Sequence, residues 1–185
     1  AQEVEQSLAK HGQRPNARLD RLGLINDRLI AIHMTQLTEA EIHLCAERGV
    51  SVLHCPESNH KLASGFCPAC ALERAGVTLA VGTDGCASNN DLDMFSETRT
   101  AALLAKAVAQ DAAALDAFSA LRAATLGGAK AIGFDDRVGS IEPGKQADLV
   151  CVDLFALETQ PLHHVVSQLI YATGRQQVSD VWIAG

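Results

Sequence analysis

The chain lacks any excess of basic charge: 15 Lys and Arg stand against 22 Asp and Glu, a formal net charge of −7. No basic stripe exists to neutralise phosphates, which argues against nucleic acid or an anionic membrane as partner. It also lacks an apolar run approaching the ~18 residues that span a bilayer, and no signal-peptide pattern opens it. A cytoplasmic protein without membrane contact is the expectation. Internal repeats and low-complexity tracts are absent. Cys67-Pro68-Ala69-Cys70 lacks both a second Cys/His pair at zinc-site spacing and thioredoxin-like surroundings, so it reads as two thiols at a helix start. The other cysteines (Cys45, Cys55, Cys86, Cys151) are scattered, which suggests reduced thiols rather than a disulfide framework.

What is present is core material: 185 residues, 48% hydrophobic and 20% charged, a globular composition. Three apolar runs each end on a residue suited to metal or acid–base chemistry. Leu29-Ile30-Ala31-Ile32 leads into His33, Val50-Ser51-Val52-Leu53 into His54, and Val77 through Thr83 into Asp84. Helical patterns separate the runs, so the unit reads as strand–helix–strand–helix–strand with parallel strands. In such folds the C-terminal ends of strands surround the ligand crevice, and in closed barrels they build the active site. Two imidazoles and a carboxylate at one rim would make half of a metal-hydrolase site.

Along the chain, helices are expected over 1–11 and 16–22. Thr38-Glu39-Ala40-Glu41 is a capping box opening a further helix. The polar stretch from Cys55 to Gly65 reads as a loop at a strand's C-terminal end, followed by a short helix over 68–75. Gly85 to Asn90 reads as a second rim loop. A long helix is expected from Asp91 to about Ala109, with Leu92, Phe95, Ala102 and Leu103 inward. Helices over 115–126 and 128–132 follow, then strands over 147–153 and 178–183 flanking a helical turn at 163–170. Residues 1–137 are thus read as a partial β/α barrel with following helices, and 138–185 as part of a small β-rich appendage. An eight-stranded barrel needs about 250 residues, so the chain is expected to be truncated at both ends.

Asp84 has the strongest claim to chemistry, because a carboxylate ending a buried strand must find a metal, a cation or a hydrogen-bond network. An N-cap or loop-ordering role is the equal alternative. A lone histidine after an apolar strand is more often structural than catalytic. Asp84 on the same sheet reverses those odds for His33. His54 is weaker, since Cys55-Pro56 turns the chain at once and the ring can simply brace it. His43, His60, His163 and His164 are expected to be solvated, and His11 to answer a helix C-terminus.

Several blocks occur in order: His33-Met34-Thr35-Gln36-Leu37-Thr38, His54-Cys55-Pro56-Glu57-Ser58-Asn59, Lys61-Leu62-Ala63-Ser64-Gly65, Gly82-Thr83-Asp84-Gly85, Ser88-Asn89-Asn90-Asp91-Leu92-Asp93-Met94, Ser140 to Lys145, and Ala147-Asp148-Leu149-Val150. With these the chain resembles the amidohydrolase superfamily, in the branch that holds methylthioadenosine/S-adenosylhomocysteine deaminases and triazine chlorohydrolases. The likeness is to the C-terminal half. It implies an α/β fold: part of a TIM (β/α)8 barrel plus part of a β-sandwich.

It further implies one divalent metal ion, zinc as a rule, and hydrolytic deamination of an adenine-type nucleoside. Asp84 would be metal ligand, substrate contact and proton carrier, and His33 would orient the attacking water. The family's His-x-His pair has no counterpart in this chain, and its His-x-x-Glu is expected just before Ala1, whose Glu would protonate a ring nitrogen. Guanine-type or triazine substrates are the alternative within the branch. A fragment inactive without an N-terminal half or another subunit is the non-catalytic alternative, and a homo-oligomer is expected. A redox protein built on Cys67 and Cys70 would need a lowered thiol pKa.

Overall fold

The three apolar runs become adjacent strands. In the computed structural model, which describes residues 2–185, β1 (Ile30–Ile32), β2 (Ser51–His54) and β3 (Thr78–Val81) form a parallel sheet in that order. Register pairs Ile30 with Ser51 and Ser51 with Thr78, so the C-terminal ends of all three strands share one edge. Helices α1 (Gln2–His11) and α2 (Pro15–Arg21) precede the sheet. Ala1, the first residue of the expected helix over 1–11, lies outside the described residues.

Helix α3 (Glu39–Glu47) returns the chain from β1 to β2 and opens on the expected capping box. Thr38 accepts from the Glu41 N–H, and the Glu41 carboxylate accepts from the Thr38 N–H. The segment after β2, expected as a loop over 55–65, is irregular only at Cys55 and past Lys61. It forms α4 (Pro56–Lys61), with Pro56 in the first turn, where a missing N–H costs nothing. Polar residues populate this helix because they serve the neighbouring site. Helix α5 (Ala69–Arg74) then leads to β3. Val50, Val52 and Leu72 are buried in the core between sheet and helices, each burial being worth roughly 1.5–3 kcal/mol.

The expected rim loop after Asp84 also contains a short helix, α6 (Cys86–Asn89). The long helix α7 (Met94–Ala109) starts later than Asp91, because Asp93 is its N-cap and accepts from the N–H groups of Phe95 and Ser96. Its inward face is Glu97, Thr98, Ala101, Ala102 and Ala105. Leu92 and Leu103, expected inside, are exposed. Leu92 precedes the helix, and the small Ala side chains rather than Leu103 form the face that lies against the core.

The helix expected over 115–126 is α8 (Ala117–Arg122), capped by Asp116, and it passes through a π-helical turn (Ala123–Gly127) into α9 (Gly128–Ala131). The turn has a steric reason to contain glycine. A Cβ on Gly127 would lie 2.2 Å from the Leu79 carbonyl oxygen of β3. Strands β4 (Leu149–Val152) and β5 (Val178–Trp182) pair antiparallel as a separate ribbon, with α10 (Val165–Tyr171) between them in sequence. The Arg99 guanidinium ties α7 to the Ile170 and Thr173 carbonyls around the end of α10. Among the described residues, no helix is long and apolar enough to cross a membrane.

Candidate active site

His33 and Asp84 meet at the C-terminal edge of the parallel sheet. His33 Nε2 lies 3.7 Å from Asp84 Oδ2. Both have left-handed backbone, φ 70° and 65°, and Met34 shares it at 47°. Such conformations cost on the order of 1–3 kcal/mol each outside glycine and gather where surrounding structure fixes a functional group. Both side chains remain part-exposed, at 40% and 33%. The alternative of Asp84 as a helix N-cap fails, since Gly85 holds that position for α6.

Each partner is fixed from α4. The Asn59 Oδ1 lies 2.9 Å from His33 Nδ1; accepting there places the proton on Nδ1 and leaves the Nε2 lone pair toward Asp84. Ser58 donates its hydroxyl to Asp84 Oδ2 at 2.7 Å, Ser88 donates to the same oxygen at 2.9 Å, and the Gly85 N–H reaches Oδ1 at 2.8 Å. The Ser58 bond, then those from Gly85 and Ser88, hold the Asp84 carboxyl below the usual carboxylate range, and His33 adds to this. Three donors occupy a carboxylate with about four lone-pair sites, so one direction stays open. A lone pair on Nε2 facing an anionic oxygen at 3.7 Å is repulsive unless a proton, a water or a cation stands between them.

Behind Asp84 lies a second group of carboxyls. Glu97 of α7 is fully buried, and its Oε1 accepts from the Glu57 N–H at 3.1 Å. Asn89 donates to Glu97 at 2.9 Å and to Glu57 at 3.2 Å. Thr100 and Ser96 donate to Glu57 as well. Burial first, and then the facing Glu57 carboxyl, push Glu97 up to about 8 despite the bonds from the Glu57 amide and Asn89. Lys61 ties α4 to the rim by donating to the Ala87 carbonyl at 2.8 Å and to the Asn90 side chain at 2.5 Å.

His54 belongs to the wall rather than the rim. It is 1% exposed, and burial, then His60 and His33, lower it to about 4. Its Nδ1 and the Asn59 Nδ2 are buried without a hydrogen-bond partner among the described residues. His43, His60, His163 and His164 are exposed as expected, and His164 caps α10 by accepting from the Ser167 N–H. Burial raises both Cys55 and Cys67 to about 12, the opposite of what a redox role for Cys67 requires.

A cleft of about 740 Å³ opens beside His33, with Arg14, Gln36, Glu41 and Ser64 among its lining. Arg14 and Glu41 form a two-pronged ion pair there, at 2.9 and 2.8 Å. Burial raises Glu41, but its bonds from Arg14 and Thr38 outweigh this and leave it below the usual range.

Among the described residues no three His, Cys, Asp or Glu side chains converge as a metal would need. A catalytic zinc takes about three protein ligands. The donor set here therefore fits one part of such a site: an oriented carboxylate with one open direction, and an imidazole whose lone pair faces it. The sequence pointed to His33 and Asp84 but not to Ser58, Asn59 and Ser88 as their hydrogen-bond partners, nor to Glu97 as a buried acid behind them. An acid on the inward, alanine-rich face of α7 was the available signal for Glu97.

Residues 1–185 match the Amidohydrolase family. A curated 5-methylthioadenosine/S-adenosylhomocysteine deaminase of Teredinibacter turnerae is 53% identical over 184 residues, covering 100% of this chain and 42% of the relative. The enzyme of that name from Haloarcula marismortui is 49% identical over 170 residues, 92% of this chain and 39% of the relative. Among solved structures, a zinc-bound adenosine deaminase from Xanthomonas campestris superposes with TM-score 0.99 at 83% identity, over 100% of this chain and 42% of that one. Atrazine chlorohydrolase from Arthrobacter aurescens TC1, complexed with zinc, gives TM-score 0.92 at 28% identity, over 99% of this chain and 41% of that one. The chain thus spans about 42% of the length of the curated relatives it matches.

Proposed function

Since this chain belongs to the amidohydrolase family, we propose that it supplies part of the active site of a metal-dependent hydrolytic deaminase acting on adenine-type nucleosides such as methylthioadenosine and S-adenosylhomocysteine. The observation that carries the reading is the 3.7 Å approach of His33 Nε2 to Asp84 Oδ2 at the C-terminal strand edge. The adenine-type substrate is favoured over a triazine because relatives named as deaminases are 53% identical where the triazine enzymes are 28% identical. In this reading the parallel sheet is part of a β/α barrel over residues 1–137, and residues 138–185 are part of a β-sandwich. The remaining metal ligands come from elsewhere in a longer, cytoplasmic, homo-oligomeric protein.

Asp84 is the ligand this chain offers to one divalent metal, zinc being the reading's choice. When bound, the metal lowers the pKa of a water from ~16 toward ~7. His33, its tautomer set by Asn59, orients that water through Nε2. Asp84 takes the water's proton as the new C–O bond forms at the ring carbon bearing the amine. It then delivers the proton to the departing nitrogen as the C–N bond breaks, so that ammonia leaves. Ser58 and Ser88 hold the carboxyl in place for both transfers.

In the metal-loaded protein, Asp84→Asn should lower turnover of methylthioadenosine by at least about a hundredfold, since proton transfer by a positioned group contributes that much or more. It should also weaken zinc retention in a chelator competition. Turnover near that of the unaltered protein would overturn the assignment.

A further inference from the structure

The Glu57–Glu97 carboxyl pair behind the rim touches neither His33 nor the cleft, yet the Glu57 N–H and the side chains of Asn89, Ser96 and Thr100 all donate to it. Glu97 is buried at the base of α7, and its Oε1 accepts the N–H of Glu57 in the first turn of α4. Its Oε2 accepts from Asn89, whose amide also reaches Glu57, so α4, α6 and α7 are joined at one point. The residue after Glu57 is Ser58, which is fully buried and donates to Asp84 at 2.7 Å.

We propose that Glu97 is a positioning residue: by fixing the first turn of α4 through the Glu57 amide and Asn89, it holds the Ser58 hydroxyl against Asp84. This rests on the reading of Asp84 as metal ligand and proton carrier. The chain of contacts is short and rigid. Ser58 can reach Oδ2 only while the start of α4 keeps its place, and Pro56 limits how that turn can readjust.

Protonation suits the role. Glu97 stays neutral up to about pH 8, so it can place a proton toward the Glu57 carboxyl while both of its oxygens accept. The titratable groups facing it are Glu57 on α4 and the Cys55 thiol at the head of that helix, which burial raises to about 12. A neutral group beneath the site braces Ser58 without adding a second negative charge beside Asp84.

The test is a double-mutant cycle in the complete metal-loaded protein, reading kcat and KM on methylthioadenosine and zinc affinity by competition with a chelator. Glu97→Met keeps volume and removes the bonds, and Ser58→Ala removes the direct contact. Each should lower kcat and zinc affinity by about tenfold, the usual scale for groups that orient a metal ligand, with KM little changed. If Glu97 acts through Ser58, the double variant falls no further than about twofold below the worse single one. Glu97→Gln, which can still accept from the Glu57 N–H, should recover most of what Glu97→Met loses.

Losses that multiply in the double variant, or zinc affinity unchanged in Glu97→Met, would overturn the inference. Should Glu97→Met not fold, Asn89→Ala takes its place in the same cycle. Asp84→Asn separates the two readings. If that variant keeps zinc and turnover, the proposed function falls. If it loses both while the cycle is multiplicative, only the role of Glu97 falls.

Discussion

Asp84 and Glu97 are carboxyl groups of one neighbourhood pushed in opposite directions, and the donors around each explain why. Ser58, Gly85 and Ser88 aim O–H and N–H groups at Asp84 and favour its anion. Glu97 is dehydrated by burial and faces Glu57, which favours its neutral form up to about pH 8. The consequence for stability has a definite sign. Between the usual glutamate range and about 8 the folded protein binds more protons at Glu97 than the unfolded one, so stability falls as pH rises through that window. Glu97→Gln should flatten this dependence, which thermal unfolding at pH 6 and pH 9 would reveal as a smaller loss of Tm in the variant. An equal loss in both proteins would contradict the assignment. Thiol chemistry offers a second check at this scale. Cys86 and Cys151 are exposed and the other cysteines buried, so a thiol reagent should modify two sites rapidly and four only on unfolding.

At the scale of elements, the site is a product of how α4 follows β2 and how α6 and α7 follow β3. Helix α4 begins at Pro56, two residues past His54, and brings Ser58 and Asn59 to Asp84 and His33. Helix α3 depends on a single cap: Thr38→Ala removes one half of the box with Glu41 and should cost about 1 kcal/mol, measurable as a lower denaturant midpoint. The π turn after α8 lies against β3. With 2.2 Å between a Cβ on Gly127 and the Leu79 carbonyl, Gly127→Ala must move the turn or the strand, a cost of roughly 1–3 kcal/mol by analogy with overpacked cores. Displacement of β3 would also reach Asp84, so under the proposed function the same variant of the complete protein should lose activity beyond its loss of stability.

For the whole molecule, β1 and β3 are the edge strands of the parallel sheet, and the β4–β5 ribbon presents apolar residues outward. Ile32 of β1 is 50% exposed, Val150 of β4 56% and Val181 of β5 59%. An open strand edge with apolar neighbours favours association. The 185-residue chain expressed alone should therefore bind a hydrophobic dye and elute above its 19.6 kDa mass. A monodisperse, dye-silent monomer would show that this surface needs no cover.

The sequence by itself determined the strand–helix alternation, the parallel order, the capping box at Thr38 and the two residues at the rim, because each is written in local periodicity or in a short run's last residue. It misplaced α4 and α6 as loops, since polar residues that bind a neighbouring carboxylate look the same as polar residues that face water. Tertiary structure alone decided what supports the site. The bonds from His33 to Asn59 and from Ser58 to Asp84 each join residues 26 apart, and that from the Glu57 N–H to Glu97 joins residues 40 apart. No local pattern encodes such distances. They exist only once the strands are in register and α7 has brought Glu97 beneath α4, where burial rather than sequence sets its charge.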